Sequence, residues 1–174
     1  MEEKDGEIRK RQGEKGMRRR DREVVDPKEV FDILKRCDTV RLGIQGEEYP
    51  YVVPVSFGAE RIDGQICLYF HCAREGKKLE MLERCSRVCV EGDIFYKTET
   101  TDHGITTRYE SVIGFGTCTF LEEEAEIRHA LQVLTEHYGY FEYPLASCRA
   151  LSYVKVGRVV LEQVTGKRNL PVPD

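Results

Sequence analysis

The chain has no tryptophan, and none of its apolar runs approaches the roughly 20 residues that span a bilayer, so no membrane helix is expected. It has no basic excess: 27 Lys and Arg against 31 Asp and Glu leave a net charge of -4, which gives no reason to expect a nucleic-acid partner. Any basic site must therefore be local. The seven cysteines, Cys37, Cys67, Cys72, Cys85, Cys89, Cys118 and Cys148, form no CxxC pair. Without a signal-peptide pattern they read as reduced thiols of a cytoplasmic protein. There is no nucleophile elbow, no HExxH helix and no acid pair of informative spacing. Gly114-Phe115-Gly116 lacks the third glycine of a dinucleotide loop, which argues against a doubly wound nucleotide fold; strand glycines here fit close approach of another chain or a ligand.

What is present points to one domain. At 174 residues, 40% hydrophobic and 33% charged, the chain can bury one real core. Residues 1–20 carry Lys4, Arg9, Lys10, Arg11, Lys15, Arg18, Arg19 and Arg20 and almost nothing apolar. They read as a flexible, solvated extension rather than an RNA-gripping arm, because they cannot bury enough surface to offset their ordering entropy. The domain is expected over residues 21–174.

Asp26-Pro27 marks a helix start, with Asp26 as cap, Pro27 at the first position and Glu29 completing a capping box. Val30, Ile33, Leu34 and Cys37 then share a face. From Thr39 the period changes to two, with Val40, Leu42 and Ile44 on one side. Further strands are expected over residues 50–57, 65–72, 87–95, 109–121 and 152–164, about six in all. Two more helices are expected, over residues 77–84 and over residues 122–138, where Ile127, Leu131, Leu134 and Tyr138 repeat at helical spacing behind an acidic first turn. Residues 58–64 read as a turn and 97–107 as a long polar loop. Successive strands without regular strand–helix alternation favour a mainly β fold with peripheral helices, its antiparallel sheet closed into a barrel.

The run from Ile66 to Leu79 carries the chemistry. A strand ends in His71 and delivers Arg74, Gly76, Lys77 and Lys78 to the start of a helix. Cations there oppose the helix dipole, and a bound anion such as a phosphate removes that conflict, which suggests a phosphorylated cofactor. In the run from Tyr49 to Phe57, Pro54 cannot donate a ladder hydrogen bond. It implies an edge or break where free backbone groups could read the polar rim of a flat heterocycle. A metal site is not expected: His71 and Cys72 point apart, and Cys67 and His71 lie about 13 Å apart at roughly 3.3 Å per residue, too far for one zinc. His103, His129 and His137 read as exposed and are assigned no role.

In order and content these runs resemble the flavin-binding split-barrel proteins related to pyridoxamine 5'-phosphate oxidase, and most closely the NimA-like branch linked to 5-nitroimidazole resistance. The likeness is carried by Met17 to Glu23, Pro50 to Gly58, His71 to Leu79 and Tyr109 to Gly116, within residues 17–168. The resemblance implies a six-stranded antiparallel split β-barrel, a homodimer, and FMN in clefts shared between subunits. It implies that Val53, Pro54, Val55 and Ser56 contact the isoalloxazine, that Lys77 and Lys78 bind the phosphate, and that His71 lies beside the flavin. Tyr109 to Ile113, including Ser111 and Val112, would line the cleft, from the partner subunit in one arrangement. Two departures are visible: members of the family often carry asparagine where Ser56 stands, and tryptophan, frequent in their cleft walls, is absent here. The activity implied is an FMN-dependent oxidoreductase, a nitroreductase or a relative of pyridoxamine phosphate oxidase. It would reduce a small nitroaromatic or heterocyclic acceptor with electrons from NAD(P)H that diffuses in, with His71 and Tyr109 as candidate catalytic groups. A flavin carrier or sensor without turnover, and a haem-binding split barrel with His71 as axial ligand, are the alternatives.

Overall fold

The structure, a computed structural model, describes residues 17–102, 104–145 and 153–171; the remainder of the expected basic extension, His103, Cys148 and the expected strand start at Ser152 lie outside the described residues. A short 3₁₀ turn, Arg20–Arg22, leads into β1 (Glu23–Val24) and α1 (Pro27–Arg36). Then come β2 (Val40–Ile44), β3 (Tyr51–Val55), β4 (Gly58–Ile62), β5 (Gln65–Ala73), α2 (Lys77–Arg84), β6 (Arg87–Thr101), β7 (Gly104–Phe120), α3 (Glu124–His137) and β8 (Val154–Asn169). Among the described residues no helix is long and apolar enough to cross a membrane.

All strands pair antiparallel, in the order β3-β2-β6-β7-β8-β5-β4, with β1 added on β8. The hydrogen-bonded path is open, its ends being β3 and β4. Yet only Ser56 and Phe57 separate those two edge strands in sequence. Three Cα steps reach about 11 Å at most, whereas a flat seven-strand sheet would hold its edges roughly 29 Å apart. The sheet must therefore roll until its edges meet at Phe57, which makes the split barrel that the resemblance implied.

The rolled interior is filled by one face of each strand: Val40, Leu42 and Ile44 of β2, Leu68 and Phe70 of β5, Val90 of β6 and Val112 of β7, with Ile33 and Leu34 of α1 against one end. A second cluster lies outside the roll, where Cys67, Tyr69 and Val156 meet Ala130 and Leu131 of α3. Gly58 is what lets α3 come so close, since a Cβ there would lie 2.6 Å from the backbone of Leu134.

Four expectations need correction. Residues 58–62 are strand β4 rather than part of a turn; Glu60 and Arg61 mask the alternation, and pairing with β5 decides the outcome. Residues 97–101 and 104–107 form a two-stranded ribbon rather than a loop, in register from Lys97 opposite Arg108 to Thr101 opposite Gly104. Its β-branched threonines suit a strand, and its polarity reflects two solvent-facing sides. The sheet thus has eight strands, counting the two-residue β1, rather than six. At α1 the Asp26 cap forms, its carboxylate accepting from Lys28 N at 2.8 Å, but Glu29 does not complete a capping box: it turns to Arg168, 2.8 Å away.

Candidate functional site

The site follows from where the barrel splits. β4 and β5 pair with Gly58 opposite Tyr69. Continuing that register by two residues puts Ser56 level with His71, but there β3 has left β5 to pair with β2, Val55 facing Val40. A gap therefore opens between the edge of β3 and the end of β5. Among the described residues the outer edge of β3 has no strand partner. Tyr51, Val53 and Val55 turn inward, while Val52, Pro54 and Ser56 are exposed, so Pro54 occupies the edge position its missing N–H requires.

Helix α2 starts at the same gap. Its N-cap is Gly76 at φ +124°, a conformation that favours glycine, and none of the described side chains caps the first turn. Lys77 Nζ lies 4.9 Å from the centre of the Tyr51 ring on β3, and Lys78 Nζ lies 5.3 Å from that of Phe70 on β5. The two lysines thus straddle the split. Neither has a carboxylate partner among the described residues. The His71 imidazole is held below the usual histidine value, first by desolvation and then by the Lys78 cation. At neutral pH it is therefore uncharged, able to donate from one ring nitrogen and accept at the other.

An uncapped helix start, two unneutralised lysines and an open strand edge fit a ligand with an anionic end and a flat polar rim. Seven of the residues singled out in the sequence, Val53, Pro54, Val55, Ser56, His71, Lys77 and Lys78, gather here. Tyr109, Ser111 and Val112 do not. On β8, His71 faces Val156, and the neighbouring Gly157 faces Phe120 of β7, whereas Tyr109 faces Asn169 at the far end of β8. Eleven residues of β7 separate those two levels, on the order of 30 Å at about 3.3 Å each after allowing for coiling. Val112 is also a core side chain, 1% exposed, so Ser111 and Ile113 are what β7 shows to the outside.

At that far end Tyr109 is half-buried. Burial pushes its phenol up, but hydrogen bonds from Arg22 and Lys167 outweigh burial and leave it below the usual tyrosine value. Its neighbour Glu110 points the other way and is 1% exposed. Arg36 Nη1 donates to Glu110 Oε2 at 2.6 Å, Tyr96 OH to the same oxygen at 2.7 Å, and Arg168 Nε to Oε1 at 2.6 Å. Burial raises this carboxyl's pKa, but the three donors prevail and hold it at about 2.

The seam where the edges meet is also tied. Tyr138 OH accepts from Phe57 N at 3.1 Å and donates to Asp38 O at 2.9 Å. His137, expected to be exposed, is half-buried: its Nε2 donates to Cys37 O at 2.9 Å, and its ring centre lies 4.3 Å from that of Phe57. His129 is exposed as expected, with Nε2 2.6 Å from Glu60 Oε1. Among the described residues no three His, Cys, Asp or Glu side chains converge as metal ligands, and the six described cysteines are free thiols. The sequence reading overlooked Tyr51, Phe70, Arg22, Lys167 and Glu110. Tyr51 and Phe70 were visible as aromatic positions of strands that flank the lysine run. The other three depend on β1, β7 and β8 pairing at long range.

A family model described as pyridoxamine 5'-phosphate oxidase matches residues 26–168. Among solved structures, a candidate 5-nitroimidazole antibiotic resistance protein from Bacteroides thetaiotaomicron is 34% identical at a TM-score of 0.72, over 83% of this chain and 85% of that one. An FAD-binding protein from Mesorhizobium loti is 24% identical at 0.59, over 84% and 96%. An FAD and haem binding protein from Mycobacterium smegmatis is 18% identical at 0.71, over 88% and 76%. The last two likenesses are of fold alone. No curated protein sequence matches the chain.

Proposed function

The chain belongs to the pyridoxamine 5'-phosphate oxidase family, and from that premise we propose that it is a flavoprotein binding FMN at the split, and an oxidoreductase that passes electrons from NAD(P)H to a small nitroaromatic or heterocyclic acceptor. The observation that carries the reading is the pair of unneutralised lysines at the uncapped start of α2, straddling a gap whose other wall is an open strand edge. Flavin-binding and haem-binding proteins of the same fold support the cofactor class, and the Bacteroides relative supports the acceptor class.

Bound FMN would supply the electron transfer chemistry. The protein supplies the rest. Lys77, Lys78 and the first-turn N–H groups of α2 hold the phosphate. Val53, Pro54, Val55 and Ser56 present backbone and one hydroxyl to the rim of the ring. Neutral His71 donates or accepts a proton beside it.

Tyr109 and Ser111 reach such a site only from a second copy, given the length of β7 that lies between them and the split in one chain. The outer face of the sheet suits that copy. Val52, Phe95, Ile113 and Phe115 stand exposed on it, Phe115 being paired with Cys89 and Ile113 with Glu91, and apolar side chains gathered on one exposed face suit an interface. We therefore read the protein as a homodimer with two shared clefts. Sedimentation giving only a 20.1 kDa species at micromolar concentration would overturn this.

The deciding experiment is the absorption spectrum of freshly purified protein, with release and identification of the chromophore. FMN near one per chain is expected, together with NADH or NADPH oxidation that depends on a nitroaromatic acceptor. FMN without any such oxidation leaves a flavin carrier, and colourless protein that refuses added FMN removes the cofactor assignment.

A further inference from the structure

The outward side of α3 borders a cavity of about 560 Å³ that no residue of the split lines. That volume falls within the roughly 300–1,000 Å³ typical of small-molecule sites. One wall is α3. The other comes from the segment that follows it, where Phe141 and Tyr143 supply two exposed aromatic side chains.

Three of the polar side chains that α3 contributes are tied to the helix itself. Arg128 Nε and Nη2 donate to Glu124 Oε1 at 3.0 and 2.6 Å. Gln132 Nε2 donates to Glu136 Oε1 at 2.8 Å, and Thr135 Oγ1 to Gln132 O at 2.9 Å. His129 differs, because it is anchored to the sheet beneath. Glu60 Oε1 on β4 lies 2.6 Å from His129 Nε2 and accepts from Tyr69 OH at 2.7 Å. Tyr69 is a core residue of β5, and its ring stands edge-on to the imidazole with centres 6.2 Å apart. A carboxylate only accepts, so Nε2 carries the proton of the neutral imidazole, and Nδ1 is left as an acceptor on the side of the ring away from Glu60. Among the described residues His129 makes no hydrogen bond besides the one through Nε2.

The charges of the lining leave a negative remainder. Arg128 is neutralised by Glu124, whereas Glu142 on the opposite wall makes no ion pair among the described residues. We propose that this cavity binds a small aromatic cation bearing an N–H donor, such as a protonated arylalkylamine, against Phe141 and Tyr143 and with a donor on His129 Nδ1. Aromatic faces attract a cation, and the Glu142 carboxylate adds to that preference. Tyr69 and Glu60 are positioning residues that act through His129, by holding its tautomer and its ring.

The absence of tryptophan makes indole fluorescence a reporter of the ligand alone. Tryptamine, a cationic indole, is titrated with the protein and its fluorescence anisotropy is followed. A saturable rise is expected, and indole-3-acetate, of opposite charge, should bind at least about tenfold more weakly. His129→Phe keeps a ring and removes the acceptor, and should weaken tryptamine binding about tenfold. Phe141→Ala leaves the anchored histidine in place and should weaken it about three- to tenfold. No saturable rise, equal binding of the two indoles, or undiminished binding in either variant overturns the site. Displacement of tryptamine by FMN overturns it as well, since the indole would then occupy the split. Tryptamine bound at this cavity by protein that takes up no flavin would leave the site standing and remove the cofactor assignment, so the two can fail separately.

Discussion

Phe57 and Ser56 are neighbours in sequence, yet the regions around them are built on opposite principles. Around Phe57 the polar groups are tied to one another: its N–H by Tyr138, the Asp38 carbonyl by the same phenol, the Cys37 carbonyl by His137. Around Ser56, among the described residues, the strand edge is bare, the helix start is uncapped and two lysines rest on aromatic rings without a counter-ion. Ring contacts of this kind contribute little at exposed sites, about 0.5–1 kcal/mol. The first region holds the roll together and has nothing left to offer a ligand. The second leaves its donors open, and its rigidity is borrowed from the first.

The sharpest way to break the contrast is at another fully partnered spot. Glu110→Ala would leave Arg36, Arg168 and Tyr96 around an empty space, and we expect a loss of about 3–5 kcal/mol in urea unfolding. Because the folded Glu110 carboxyl sits at about 2, below its ordinary value of 4.5, its contribution is fully present above pH 4.5. That contribution is lost as pH falls from there towards 2. Acid unfolding of the wild type that is unchanged in Glu110→Gln would contradict this.

Next comes Gly58→Ala, which forces α3 away from the seam. An overpacking cost of about 1–3 kcal/mol is expected, with His137 and Tyr138 contacts loosened. A melting temperature equal to wild type would mean that the close approach of α3 does not hold the seam.

The converse experiment acts on the open region. Lys77→Gln with Lys78→Gln should leave stability within about 0.5 kcal/mol of wild type while weakening FMN binding about 10- to 100-fold, read by quenching of flavin fluorescence. Loss of stability with unchanged flavin affinity would reverse the roles given to the two regions.

The smallest effect is the most specific. Lys78→Gln removes one of the two causes that depress the His71 imidazole, so its NMR titration midpoint should rise toward the ordinary 6.5 without reaching it. No movement would place the lysine too far from the ring to share a ligand with it.

What could be read from sequence was what local chemistry decides. Alternation in β2, the continuous apolar run of β5, the Asp26-Pro27 start of α1 and the bounds of α2 were legible because neighbours in sequence determine them. So was half of the site, because Pro54 and the lysine pair carry their own physical anomalies. β4 was not legible, since only β5 makes Glu60 and Arg61 a strand. The ribbon was hidden for a different reason: with both faces in water it has no apolar period to display. The Glu110 network and the Tyr109 corner join residues far apart in the chain, Arg36 with Arg168 and Lys167 with Tyr109, and no spacing announces such pairs.

β8 has a consequence for how the molecule is made. It is hydrogen-bonded to β1, β5 and β7, so residues 154–169 pair with residues 23–24, 66–73 and 109–120. Until this segment has left the ribosome, β5 lacks its inner neighbour and the lower wall of the split has nothing to lie against. Pairings of such long sequence separation form slowly. A nascent chain halted before Val154 therefore carries all the residues of the gap and none of its shape, and ribosome-bound intermediates arrested on either side of that residue should differ sharply in resistance to proteases.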